Sequence, residues 1–460
     1  MRIAAFALGL LLALPAQPRA AALVGVARIP ADARDREGET LGGFGSGMAL
    51  VPGSVHAKGG EFRGTLAMLP DRGWNTQGTT DYRARVQYFD FRLHPVLGAP
   101  GVQTGLTLSL RRTLLLTDHD GVATTGLDPE HVRPAAGSLP DLPVAANGHV
   151  SLDDESIALP GHGGIWVGDE YGPYVYRYDA RGRMQAAIQP PEAILPRRGG
   201  AVNFSAGERI KGQPQSGRQN NQGFEGMSIA PGGKTLFVMT QSALVQDLDP
   251  SAPKKTRRNV RLLEYAIGGQ PQLIHEYAVQ LPLYEEGGKP AVAAQSEMLA
   301  LDDHRLLLLC RDSGGGFTGK RDASAYRKIE LVDISQASDI KGRYDGATDS
   351  IAPGGQLRSD ITPARLTDFL DINDNRELAR FGLHNGSPND KNDLYEKWES
   401  MALLPAQDRQ APDDYFLLIG SDNDFITQHG AMAGHTYADA SGADVDTLVL
   451  AWRVSLSRKN

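Results

Sequence analysis

The sequence predicts an all-β fold, a β-propeller of four-stranded antiparallel blades, and three observations carry that expectation. Four stretches repeat one pattern: Glu155-Ser-Ile-Ala-Leu, Glu225-Gly-Met-Ser-Ile, Glu297-Met-Leu-Ala-Leu and Glu399-Ser-Met-Ala-Leu; a fifth, Ser46-Gly-Met-Ala-Leu, keeps the apolar spacing without the acid. Each is followed by a turn and a second apolar run. Finally, 53 glycines and 28 prolines in 460 residues supply the tight turns that many short strands require.

In chain order, Met1-Arg2, an apolar run over 3–14 and the small residues Ala20-Ala-Ala22 read as a secretory signal peptide spanning 1–22. Residues 23–460 then form a single domain. The first unit has its two strands at 46–50 and 65–69. The second runs through 155–159, 165–167, 174–178 and 184–188, with turns at Pro160-Gly-His-Gly-Gly164 and Asp179-Ala-Arg-Gly182. The third occupies 225–229, 235–239, 260–267 and 272–279. The fourth shows 297–301 and 305–310, and the fifth 399–403, 415–419 and 447–452. Short apolar runs bounded by Gly, Pro and Asp read as buried strands. Because the last unit supplies three strands, residues 23–28 are expected to close it as the fourth, removing an open edge. Residues 361–381 look helical, so 335–396 is read as an inserted, partly helical segment, and the propeller has five or six blades.

Composition narrows the function. A net charge of -8 without a basic tract argues against nucleic acid as a partner. No run after the signal peptide approaches the ~18 apolar residues of a membrane span, so the mature chain is expected to be periplasmic or secreted, monomeric, and without an integral membrane segment. Cys310 is the only cysteine, which excludes an intrachain disulfide and a thiolate metal site. In Leu306-Leu-Leu-Leu-Cys310 it reads as a small buried hydrophobe.

Antiparallel pairing puts the start of each first strand and the end of each second strand at one face. The starts carry Glu155, Glu225, Glu297 and Glu399; the ends carry Asp71-Arg72, Asp169-Glu170, Arg311-Asp312 and Asp422-Asn-Asp424, with Thr240-Gln-Ser242 departing in the third unit. A carboxylate ring is therefore expected at one mouth of the central channel. Long connections at 191–222, 243–259, 313–326 and 334–397 should emerge beside it, several of them basic through Arg197, Arg198, Lys254, Arg257 and Lys320.

So many acids at a narrow mouth repel one another and raise their pKa values unless a cation intervenes. Ca2+, which takes roughly 6–8 oxygen ligands in irregular geometry, suits this set. The candidate ligands are Asp71, Glu155, Asp169, Glu170, Glu225, Glu297, Glu399, Asp422 and Asp424. The competing reading is that each Glu caps its blade through backbone N–H groups or pairs with Arg72 and Arg311. Glu225, Glu297 and Asp312 are the candidate catalytic groups, and Arg72, Arg311 and Asn221 the candidate substrate contacts, arginine being suited to bidentate binding of an oxyanion. Other motifs fail. Ser46 lacks the nucleophile-elbow glycine, since Phe44 stands there, and Asp371-Ile-Asn-Asp-Asn375 has Arg376 where a calcium hand needs glycine.

Pro70-Asp-Arg-Gly-Trp-Asn75, Gly168-Asp-Glu-Tyr-Gly-Pro173, Asn221-Gln-Gly-Phe-Glu-Gly-Met227, Ser296-Glu-Met-Leu-Ala300, Lys397-Trp-Glu-Ser-Met401 and Ser421-Asp-Asn-Asp-Phe425 together resemble the bacterial exported esterase-like, or phytase-like, domain proteins. The resemblance implies ester or phosphoester hydrolysis of a small molecule and kinship with calcium-dependent propeller phytases. The expected function is an exported, Ca2+-dependent hydrolase of an ester or phosphate monoester. The alternatives are a calcium-dependent lactonase and a non-catalytic ligand-binding propeller.

Overall fold

Five antiparallel blades, each with a path of four strands and the first with an added short strand His56–Lys58 paired to its second, stand around one axis in a computed structural model that describes residues 21–98 and 104–456. Most of the expected signal peptide, residues 1–20, lies outside the described residues. From axis to rim, blade one comprises Gly47–Leu50, Glu61–Leu69, Arg85–Leu93 and Leu106–Leu115, and blade two Asp154–Ala158, Ile165–Asp169, Val175–Tyr178 and Met184–Ile188. Blade three comprises Phe224–Ile229, Thr235–Thr240, Asn259–Ala266 and Gln272–Gln280. Blade four has Ala294–Ala300, Arg305–Arg311, Arg327–Asp333 and Arg365–Asp371. Blade five has Trp398–Pro405, Asp414–Ser421, Thr447–Ser455 and, at its rim, the N-terminal strand Ala22–Ile29. The innermost strands adjoin one another all round, with blade five meeting blade one.

The N-terminal strand closes the ring as expected. It pairs antiparallel with Thr447–Ser455, Val26 opposite Leu450 and Ile29 opposite Thr447. The alternating apolar residues of each strand fill five hydrophobic clusters, one between each pair of neighbouring blades. Cys310 is fully buried in the cluster between blades three and four. Among the described residues, no helix is long and apolar enough to cross a membrane.

The segment expected to be helical departs from that reading. Arg365–Asp371 is the rim strand of blade four, and only Asn375–Ala379 is helical, with the Asp374 side chain accepting from Arg376 N. Phe369 is skipped in the pairing: Ile329 stands opposite Leu370 and Glu330 opposite Asp368. A bulge of this kind interrupts the period-two alternation by which a strand is recognised. There is accordingly no sixth four-stranded blade among the described residues. The strand also splits the insert. Residues 334–364 leave blade four at the end opposite the expected ring and wrap along blade three, where the buried Arg261 donates to the carbonyls of Tyr344 and Asp349. Only residues 372–397 return to the ring.

Closure by the N-terminal strand has a measurable consequence. Leu23 is fully buried, so Leu23→Ala is expected to lower stability to urea by about 2–5 kcal/mol. Val122→Ala, at a side chain 43% exposed, should change it by less than about 0.5 kcal/mol. Equal effects would show that the closing strand does not bear on stability.

Candidate functional site

The repeated glutamates reach the channel through a shared irregularity. In blade two, Ser156 pairs with Gly168 and Asp154 with Asp169, leaving Glu155 skipped. Glu225 is skipped between Phe224 and Gly226, and Glu399 between Trp398 and Ser400. A β-bulge residue has no cross-strand partner and re-aims its side chain. Glycines across the strand make room for the small residue that follows. A Cβ at Gly168 would lie 2.4 Å from Ser156 Oγ, and one at Gly420 2.5 Å from Ser400 Oγ.

Blade four breaks the series. There the skipped residue is Ser296, because Gln295 pairs with Cys310 and Glu297 with Leu309. Glu297 is therefore in register with Ser156, Gly226 and Ser400, one residue out of step with the other three acids, and a one-residue shift turns a side chain to the other face. Its carboxylate accepts from Met298 N at 2.7 Å and Met227 N at 3.4 Å. It borders a separate cavity of about 750 Å3 at the opposite end of the channel, among Met227, Met298 and Met401.

The strand-end aspartates serve first as turn formers. Asp71 accepts from Gly73 N, Asp422 from Asp424 N, and Asp169 from both Asp153 N and Gly172 N. Asp312 is saturated by Ser324 Oγ at 2.5 Å, Ala325 N at 2.8 Å and Arg321 at 2.9 Å. Neither Asp169 nor Asp312 borders the acid-lined cavity, whereas Asp71 does.

That cavity, about 350 Å3, gathers seven carboxylates from Asp71, Glu155, Glu170, Glu225, Glu396, Glu399 and Asp424. Four cations, Arg72, Arg257, Arg311 and Lys397, share its wall with Asn221 and Gln222. Arg72 pairs with Asp153 at 3.0 Å and donates to the Asn221 side chain, and Arg311 donates to Glu399. Lys397 Nζ lies 2.5 Å from Asp422, 2.9 Å from Asp424, 3.3 Å from Glu399 and 3.8 Å from Asp71. Burial opposes the charge of this ammonium, but those carboxylates hold its pKa well above the usual lysine range. Lys397 and Asp153 escape a search keyed to the repeated glutamate. The available signal is their position two residues before Glu399 and Glu155, on the same side of an extended chain.

Three sets of carboxylate oxygens converge to within 4.8 Å: Asp71, Asp422 and Asp424; Asp71, Asp153 and Glu155; and Glu155, Glu170 and Glu225. In the last set burial first, then repulsion from Glu225, pushes the Glu155 carboxyl well up, and burial with repulsion from Glu170 and Glu399 does the same to Glu225. Burial raises Glu170 to about 8 and Asp71 to about 7. Glu170 Oε2, Glu225 Oε2 and Gln222 Oε1 are buried and have no hydrogen-bond partner. Orphaned hard oxygens beside a cavity fit a metal cation, since leaving buried acceptors unpaired is costly.

The fold and site define a five-bladed propeller with a carboxylate-rich channel mouth. Residues 40–425 match the phytase-like family described as having the esterase-like activity of phytase, and the chain belongs to that family. An uncharacterized secreted protein of Arthroderma benhamiae is 41% identical over 449 residues, covering 89% of this chain and 87% of that one. That relative is fungal, so the expectation of a bacterial source gains no support from it. Among solved structures, the Malassezia sympodialis allergen Mala s 1 has 11% identity and a TM-score of 0.31 over 88% of this chain and 77% of that one. A luciferin-regenerating enzyme has 12% identity and a TM-score of 0.29, covering 85% and 87%. At those scores neither bears on chemistry.

The raised carboxyls make stability depend on pH. Asp71 and Glu170 keep protons in the folded chain up to about 7 and 8, but release them near pH 4 when unfolded. Their contribution is thus complete below the unfolded value and lost as pH rises through the folded ones. Metal-free protein is expected to lose roughly 5 °C of Tm between about pH 6 and pH 9, with a divalent cation restoring it. A melting temperature that does not fall over this range in chelator would contradict the assignment.

Proposed function

We propose that this chain is an exported, monomeric hydrolase that cleaves an ester or phosphate monoester in the acid-lined cavity, using a divalent cation, Ca2+, held by Glu155, Glu170 and Glu225. The observation that carries the reading is the convergence of those three buried carboxylates, with orphaned oxygens, beside four cationic side chains. Export rests on the apolar N-terminal segment and on the secreted relative, and outside the cell calcium is plentiful enough for weak sites. When bound, the cation would polarise the ester or phosphoryl oxygen and lower the pKa of a water molecule.

The chain's own residues supply position and charge. Arg72 is fixed by Asp153 and Asn221, and Arg311 by Glu399, so each presents a guanidinium whose rotamer is already set. Asn221 has φ of 49°, a left-handed conformation that asparagine tolerates better than most residues. Arg257 differs from the other cavity cations: no carboxylate lies within ion-pair distance of it among the described residues, and its Nε is buried without a partner. It is the group best placed to receive the substrate's anionic end. A dication held by the glutamates would add its charge to that of Arg72, Arg257 and Arg311 on the cavity wall and so favour an anionic substrate.

A panel of phosphate monoesters, carboxyl esters and lactones, assayed with calcium and after chelation, tests the activity. Glu225→Gln is expected to lower kcat/KM roughly 100-fold and to abolish the calcium-induced rise in Tm. Calcium binding unchanged in Glu225→Gln would sink the metal assignment. Activity on carboxyl esters or lactones alone would move the substrate away from phosphate. For a phosphate monoester, Arg257→Gln should raise KM by about tenfold, the value of a lost charge-assisted hydrogen bond. An unchanged KM would remove Arg257 from the substrate's path.

A further inference from the structure

Two carboxylate triads, each with oxygens converging to within 4.8 Å, stand at the channel mouth, and they differ in what they enclose. Glu155, Glu170 and Glu225 enclose buried oxygens without partners. Asp71, Asp422 and Asp424 enclose an ammonium. We propose that Lys397 is a resident substitute for a second metal ion: its ammonium occupies the Asp71–Asp422–Asp424 triad and restricts the mouth to one divalent cation, at the glutamates.

The geometry is that of a ligated cation. Nζ lies 2.5 and 2.9 Å from Asp422 and Asp424, with Glu399 at 3.3 Å and Asp71 at 3.8 Å. Calcium–oxygen distances run at about 2.3–2.6 Å, so an ion could take the same space with little movement of the carboxylates. Their frame is already rigid. Asp422 accepts from Asp424 N, Asp71 from Gly73 N, and the Tyr395 hydroxyl donates to Asp424 at 2.5 Å. Lys397 enters from the chain just ahead of the blade-five inner strand, and its own carbonyl accepts from Asp422 N at 3.0 Å, which anchors the lysine backbone to its carboxylate partner.

The charge balance explains why a lysine stands there. A dication in each triad, the two being linked through the set Asp71–Asp153–Glu155 that shares a carboxylate with each, would repel at low dielectric. A monovalent, covalently tethered cation neutralises the aspartates with less repulsion and needs no binding event. It also leaves a fixed positive group beside the glutamate site, whose charge cannot be removed by chelation.

The inference rests on the reading above only in assigning the glutamates to a metal, and its test is a difference that does not depend on that assignment. Calorimetric titration of the stripped, full mature chain with CaCl2, and elemental analysis of the loaded protein, should give Lys397→Met one more equivalent of calcium than the wild type. Lys397→Arg, which keeps the charge, should retain the wild-type number, and the double variant Lys397→Met with Asp422→Asn should lose the added ion. If Lys397→Met is recovered only in calcium, the bound metal is counted in the purified protein. Equal stoichiometry in wild type and Lys397→Met overturns the proposal. So does a wild type that already binds an ion in a manner abolished by Asp422→Asn. Absence of any hydrolytic activity would count against the proposed function and leave this count untouched.

Discussion

Everything at the channel mouth answers to one constraint, the containment of carboxylates packed too closely and too dry to remain charged without help. Seven border a cavity of about 350 Å3, and Asp153 and Asp422 stand behind them. Desolvation alone pushes buried acids toward their neutral form, and like charges add to it. The chain meets the constraint differently around the ring. Lys397 serves the aspartate side, Arg72 serves Asp153, and Arg311 serves Glu399. Glu155, Glu170 and Glu225 have no cation within ion-pair distance among the described residues. An imbalance left on three glutamates, while their neighbours are neutralised with care, is what gives the site its chemical direction.

The scaffold makes that arrangement tolerable. Clustered repulsion would spread an open sheet, but a ring whose blades are joined by five hydrophobic clusters resists it from every side. The N-terminal strand matters here because it turns blade five from an unfinished edge into a closed element. Wet rims and dry interfaces thus divide the work. Apolar residues two positions beyond the bulges, Ile157, Met227, Met298 and Met401, together with Met48 in the bulge-free inner strand of blade one, hold the blades together, and in blades two, three and five the bulges themselves deliver the acids.

How much of this could be read in the sequence follows from the kind of regularity involved. The repeat, the strand order and the closing strand were legible because apolar spacing is imposed by interblade packing, which every blade must satisfy. The face carrying the acids was legible for the same reason. The exact registers were not, because they depend on where a bulge falls. Aligning Glu297 with the other glutamates matches residue types, whereas aligning Ser296 with them matches the backbone, and only the pairing of Glu297 with Leu309 decides between the two. The rim strand Arg365–Asp371 was hidden by the same cause, a bulge at Phe369. Lys397 and Asp153 were obscured differently. Each lies in a single blade, so no repetition draws attention to it.

Asp312 shows where residue type ceases to predict role. It ends a second strand as Asp71, Asp169 and Asp422 do, and all four accept hydrogen bonds from nearby backbone N–H groups. A strand-end carboxylate that fastens the following turn is a structural device before it is anything else. What separates Asp71 and Asp422 from Asp169 and Asp312 is which oxygens remain. Both oxygens of Asp169 and Asp312 are taken by local donors, whereas Asp422 keeps one for Lys397, and Asp71 Oδ2, which accepts from the Asn75 side chain at 3.3 Å, also faces Lys397 at 3.8 Å. Function at this mouth has therefore grown from the turn itself. A carboxylate first required to end a strand can meet a cation wherever its turn leaves one oxygen unspent, and at Asp422, with one oxygen on Asp424 N, the cation that meets the other is the Lys397 ammonium.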